Sequence, residues 1–183
     1  EWLRDVVIGD RQRKLLYGRR MIAFDNLQVI MKQRRDQQKR KIRQEMEKTL
    51  GRLTNRDLLF TGLGLYWGEG RKRGGQISVT NTDPELMRFF LKWLEVSFGV
   101  SRKDKRVRVI LHLYSDMDPE EETEFWLQKL AVSKKQFNKP YIKMSKRTDL
   151  DHKGYGHGSC MIYYSDAKIK EQIRAAIKLI IGG

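Results

Sequence analysis

Cysteine, histidine and proline are nearly absent: 183 residues contain one Cys, three His and three Pro. A lone cysteine, Cys160, excludes an intramolecular disulfide and a cysteine zinc cluster. It fits a reducing compartment and reads as a small buried hydrophobe. His112, His152 and His157 are too scattered in sequence to form a ligand set, and no Ser/His/Asp or Cys/His constellation is suggested. No apolar run is long enough to cross a bilayer and no signal-peptide pattern is recognisable. A cytoplasmic protein with no membrane partner is expected, nucleoid-associated if its source is bacterial or archaeal. The chain opens at Glu1 without an initiator Met, as a fragment or processed product would.

Acidic residues are also in short supply. Against 38 Lys+Arg stand 23 Asp+Glu, a net charge of +15 with a pI near 10.0. A small-metabolite enzyme rarely needs that balance. Nucleic acid is the leading partner and an anionic membrane surface the second. The 39% of hydrophobic residues suffices for one core, and the length suits one domain plus an extension.

The extension is residues 1–53. Glu1-Trp2-Leu3-Arg4-Asp5-Val6-Val7 is similar to the end of a helix-turn-helix recognition helix followed by a short exit loop, or is simply a frayed helix end. Residues 19–53 read as one long helix. Met21, Ile22, Phe24, Leu27, Ile30 and Met31 give it an apolar start. Lys32 to Lys41 has no apolar residue, and Arg34, Arg35, Lys39 and Arg40 are among its cations. The stripe resumes at Ile42, Met46, Leu50 and Leu53. The bland reading of the middle is a solvated linker. The sharper one is a basic arm along phosphates, where each neutralised phosphate releases a counterion.

The remainder, 54–183, is organised around Leu58-Leu59-Phe60-Thr61-Gly62-Leu63-Gly64-Leu65-Tyr66-Trp67-Gly68-Glu69-Gly70. Thr54 is the expected N-cap, with Asp57 answering it as in a capping box. Gly70 is expected to end the helix in a left-handed conformation. Glycine inside a helix costs about 1 kcal/mol relative to alanine. Gly64 and Gly68 lie four apart, so they share a face that lets another backbone approach. Helix C-terminal carbonyls are partly negative, and Glu69 adds to that. Two such helices side by side would bring two carboxylates together, a place for a divalent cation.

Arg71-Lys72-Arg73-Gly74-Gly75 is a basic turn. Gln76 to Asn81 alternates as a strand, with Ile77 and Val79 inward and Gln76, Ser78 and Thr80 outward. Asp83 and Pro84 start a helix that Gly99 ends. Lys105 to Tyr114 is the clearest strand, with Arg106, Arg108, His112 and Tyr114 on its polar face. Acids at 116–122 open a third helix and read as complements of its dipole rather than as a metal site. A strand at 141–146 carries Lys143 beside the polar face. A glycine-rich loop at 147–158, a strand at 159–164 and an amphipathic helix at 167–181 complete an α+β pattern. Outward Arg and Gln side chains suit base edges, Arg to guanine and Gln to adenine.

The 58–70 segment resembles the signature helix of the LAGLIDADG homing endonuclease superfamily. Gly70 matches the motif's final glycine, Glu69 its last acid, Gly68 its small position, Leu65 its second leucine and Gly64 its internal glycine. Trp67 stands where the motif has its earlier acid. The order of motif helix, basic turn, strand and Asp-Pro-Glu-Leu helix start extends the resemblance over roughly 54–100. The resemblance implies a saddle: an antiparallel sheet with helices on one face, here preceded by the long basic helix. It implies a homodimer through the 58–70 helix, packed by Gly64, Leu65 and Gly68. Glu69 would be the metal ligand and catalytic acid, with Mg²⁺ activating water for phosphodiester hydrolysis. Nucleic-acid contacts are expected from Arg71, Lys72, Arg73, Gln76, Ser78, Thr80, Arg106, Arg108, His112 and Lys143, together with Arg34, Arg35, Lys39 and Arg40. Three functions follow: sequence-specific binding of double-stranded DNA as a regulator or mobile-element protein, an active homing-type endonuclease cutting DNA as a dimer, and an RNA-binding or maturase-like protein.

Overall fold

The chain is α+β, with five α-helices and one four-stranded sheet among the described residues. The computed structural model describes residues 9–146 and 156–182. Two units are distinguished, Glu1–Arg52 and Leu53–Gly183.

The first unit is helix α1, Asp10–Leu50, 41 residues with none buried. At 1.5 Å per residue it is about 60 Å long. It begins at Asp10 rather than near residue 19. Residues 10–18 are helical because they are rich in Arg, Gln, Lys and Leu, good helix formers. Gly9 precedes the first turn and donates its N–H to Gln12 Oε1 at 3.3 Å. There is therefore no exit loop over residues 10–18, and the Trp2-Leu3 segment lies outside the described residues. The apolar side chains of Met21 to Met31 are exposed rather than packed (Ile22 62%, Leu27 55%). Every cation between Lys32 and Lys41 is also exposed.

In the second unit α2 spans Asn55–Glu69. The Thr54 hydroxyl accepts from Asp57 N at 3.2 Å, and Asp57 Oδ2 accepts from Thr54 N at 2.8 Å. The capping box is thus closed, and these bonds hold the Asp57 carboxyl below its ordinary range. Gly70 follows in extended backbone, φ −76° and ψ 146°, not in the left-handed region. The position needs glycine for space instead: a Cβ there would lie 2.4 Å from the Tyr66 carbonyl oxygen and ring.

Strand β1 (Gln76–Asn81) leads to α3 (Pro84–Phe98), where Asp83 accepts from Glu85 N and Gly99 ends the helix at φ 68°. Then come β2 (Val107–Tyr114), α4 (Pro119–Leu130), a short 3-10 turn at Lys134–Gln136, β3 (Tyr141–Lys143), β4 (Ser159–Ser165) and α5 (Ala167–Ile180). The sheet order is β1-β4-β2-β3. β4 is antiparallel to both β1 and β2, but β3 runs parallel to β2. The sheet is therefore mixed, not antiparallel. The reason is the connection: α4 and the 3-10 turn carry the chain back before β3, as a parallel pair requires. The expected loop at 147–158 falls mostly outside the described residues.

One sheet face is the floor of the core. Ile77, Val79, Val107, Val109, Leu111, Leu113, Cys160, Ile162 and Tyr164 are buried there. They share one cluster with Leu63 and Tyr66 of α2, the α3 side chains Met87, Phe90, Trp93 and Leu94, Trp126 of α4 and Ile173 of α5. Helices α2 to α5 thus pack on this face, and the opposite face carries polar and half-buried residues.

Candidate nucleic-acid interface

The sheet face opposite the core is organised in rows set by register. Ser78, Tyr163 and Arg108 form one row, Thr80, Met161 and Ile110 the next, and Ser159, His112 and Tyr141 a third. Thr80 is exposed and Gln76, Arg108 and His112 are half-buried, whereas Ser78 is only 3% exposed and out of a ligand's reach.

Two arginines of the β2 region are engaged inside the chain. Arg108 donates from Nε to Asn138 Oδ1 at 2.9 Å and from Nη1 to the Lys135 carbonyl at 2.9 Å, with a further short bond from Nη2 to Asn138. Asn138 in turn donates to the Tyr163 hydroxyl at 2.8 Å. Arg106 pairs with Asp104 (2.8 Å) and Asp166 (3.2 Å) and covers the Tyr164 ring at 4.8 Å. These guanidiniums join β2 to the turns beside it. Lys143 Nζ lies 4.7 Å from the centre of the Tyr114 ring.

Arg71 and Arg73 are differently placed. Both are exposed, and neither guanidinium is ion-paired among the described residues. The Arg71 backbone is fixed from both sides: its N donates to Ser78 O at 2.9 Å, and its O accepts from the Tyr66 hydroxyl at 2.7 Å and from Lys170 Nζ at 2.7 Å. The anchored Arg71 backbone thus carries an exposed cation with no ion pair among the described residues, and Arg73 adds a second two residues on. Arg34, Arg35, Lys39 and Arg40 are likewise exposed on α1.

At the end of α2 the glycines take different roles. Gly62 is buried against Trp93, while Gly64 and Gly68 are exposed, with open space where a Cβ would stand. Phe60 and Trp67 flank them, about half exposed, and Leu65 is half-buried. Glu69 is exposed, and its carboxylate has no hydrogen bond or ion pair among the described residues.

Sequence reasoning missed what two lysines do here. Lys72 Nζ donates to the carbonyls of Tyr66 (2.8 Å), Trp67 (2.5 Å) and Gly70 (2.8 Å). Lys170, 4% exposed, donates to the Tyr66 hydroxyl and to the carbonyls of Arg71 and Gln76, the last at 2.8 Å. The two ammoniums lie 5.6 and 5.1 Å from the centre of the Tyr66 ring. Burial lowers the pKa of both; Arg174, Lys72 and Arg71 lower that of Lys170 further. Magnesium does not fit this helix end as it is built, because the carbonyls that would share an ion with Glu69 already bind Lys72. Also missed was the pair of His157 Nδ1 with buried Glu122, 2.9 Å apart.

His112 gives a pH prediction. It packs against Tyr141 at 5.6 Å, and burial, then Lys143, lowers its pKa below 6.5. As pH falls, the unfolded chain takes up this proton before the folded one, so stability is lost from about pH 6.5 downward. His112→Gln should flatten that part of a Tm-against-pH curve. An unchanged slope would remove His112 from the acid response.

Comparison of the chain with protein-family models, with curated proteins and with solved structures finds no match.

Proposed function

We propose that the chain binds double-stranded DNA at a specific sequence, without cutting it, as a regulator or mobile-element protein of the cytoplasm built on the LAGLIDADG saddle. The observation that carries this reading is the anchored turn at 71–73. It anchors the Arg71 backbone to β1 and leaves the Arg71 and Arg73 side chains exposed, in a chain of net charge +15. Exposed cations position a protein on phosphates, and neighbouring polar groups such as Thr80 and Gln76 read base edges. The proposed subunit contact is the exposed Gly64 and Gly68 face of α2, which pairs the helix with a second copy.

A second reading, metal-dependent cleavage by the dimer, draws on the exposed Glu69, unpaired among the described residues, and requires Lys72 to leave the helix end first. Binding itself is tested by titrating a mixed-sequence duplex at several salt concentrations. The expected result is a linear fall of log affinity with log salt, about one unit of slope per phosphate contact. No binding even in low salt would overturn the proposal.

A further inference from the structure

We infer that Lys72 is the protein's own cation at the end of α2, taking the position where a divalent ion would otherwise bind. The last carbonyls of a helix have no partner within it and carry partial negative charge. Three oxygens, those of Tyr66, Trp67 and Gly70, converge on one ammonium at 2.5 to 2.8 Å. An ammonium has three N–H donors, and all three are used. Glu69 stands at the same helix end and favours the charged form of Lys72.

A metal ion arriving there meets two obstacles. Magnesium needs oxygens at about 2.0 to 2.1 Å in octahedral order, so the three bonds to Lys72 must break first. Its charge would also sit among Lys72, Lys170, Arg71 and Arg174, the cluster that already lowers the Lys170 pKa. Glu69 alone does not offset four cations. The end of α2 is closed to divalent cations by a tethered one, and DNA binding is metal-independent.

The inference rests on the reading of α2 as this fold's metal-bearing helix, and its test needs no nucleic acid. Thermal unfolding is followed while MnCl2 or MgCl2 is added at constant ionic strength, for the natural chain, Lys72→Met and Lys72→Met/Glu69→Gln. The natural chain should show no saturable shift. Lys72→Met should gain one, about 4 °C at ten times its dissociation constant, and the double variant should lose it. Saturable Mn²⁺ binding by the natural chain, read by electron paramagnetic resonance and lost in Glu69→Gln, would overturn the inference, and this holds even if Lys72→Met does not fold. So would a folded Lys72→Met that gains nothing. Failure to bind any duplex would count against the proposed function and leave this result intact.

Discussion

Gly62→Ala should unfold the α+β unit, or lower its Tm by at least about 6 °C. A Cβ on residue 62 would lie 2.0 Å from Trp93 Cδ1 and 2.2 Å from Cγ and Nε1. The indole has nowhere to go. Trp93 is fully buried, with Tyr66, Phe90 and Phe98 around it at ring distances of 6.1, 5.9 and 5.2 Å. Alanine brings a helix-propensity gain of about 1 kcal/mol. Overpacking a rigid core costs about 1–3 kcal/mol, and more where a backbone must shift. A Cβ only 2.0 Å from a caged ring belongs at or above the upper end, so the loss wins. Calorimetry or circular dichroism reads the Tm. A Tm within about 2 °C of the natural chain, as a neutral surface change gives, would mean that α2 does not pack on Trp93. Gly64 is the internal control. No neighbour stands in the way there, so Gly64→Ala should stabilise a lone subunit, and Gly64→Leu should separate the proposed dimer in light scattering while leaving each subunit folded. An unchanged dimer mass in Gly64→Leu would remove the α2 face from the interface.

Replacing Arg34, Arg35, Lys39 and Arg40 together by glutamine should weaken duplex binding about 1000-fold near 0.1 M salt. At about 100° per residue, Arg35 and Lys39 share a face, while Arg34 and Arg40 turn to either side of it. That spread suits a helix lying in a groove between two walls of phosphate. Four contacts account for a log–log salt slope of about −3.6, which near 0.1 M corresponds to roughly three to four decades of affinity. The four side chains are exposed and unpaired among the described residues, so Tm should hardly move. The measurement is a salt series of binding titrations on both proteins. Equal slopes would take α1 out of the interface.

How much of this was legible in the chain depends on what each signal encodes. The caps were: Thr54 with Asp57 and Asp83 with Pro84 are local, and local chemistry decides them. Strand alternation gave the inward set Ile77, Val79, Val107, Val109, Leu111 and Leu113, because burial on one face imposes a period of two. The outward set was legible only as a face. Whether Arg106 and Arg108 are free depends on Asp104, Asp166, Asn138 and the Lys135 carbonyl, and the long-range partners cannot be ranked from spacing. The parallel β3 was hidden for the same reason. Glycines 62, 64 and 68 look alike in sequence, and only Trp93, far along the chain from Gly62, separates the buried one from the exposed pair.

Lys170 was the missed signal that did exist. It sits in the apolar stripe of α5, one turn before Ile173 and two before Ile177, a place where a lysine needs acceptors brought by another element. The Tyr66 hydroxyl and two carbonyls supply them. Lys72 also had a local sign, a cation just past a helix C-terminus, but the Arg71-Lys72-Arg73 run made all three look alike. The structure distinguishes them: the middle one caps α2, and its two neighbours have no ion pair among the described residues.

The most direct test of sequence-specific binding without cleavage is selection from a randomised duplex library, in Mg²⁺ and again in EDTA, with bound and cut molecules recovered separately. One enriched sequence is expected, the same in both conditions, with no cut ends. Mg²⁺-dependent ends at the enriched site, abolished by Glu69→Gln, would contradict this and make the protein a nuclease.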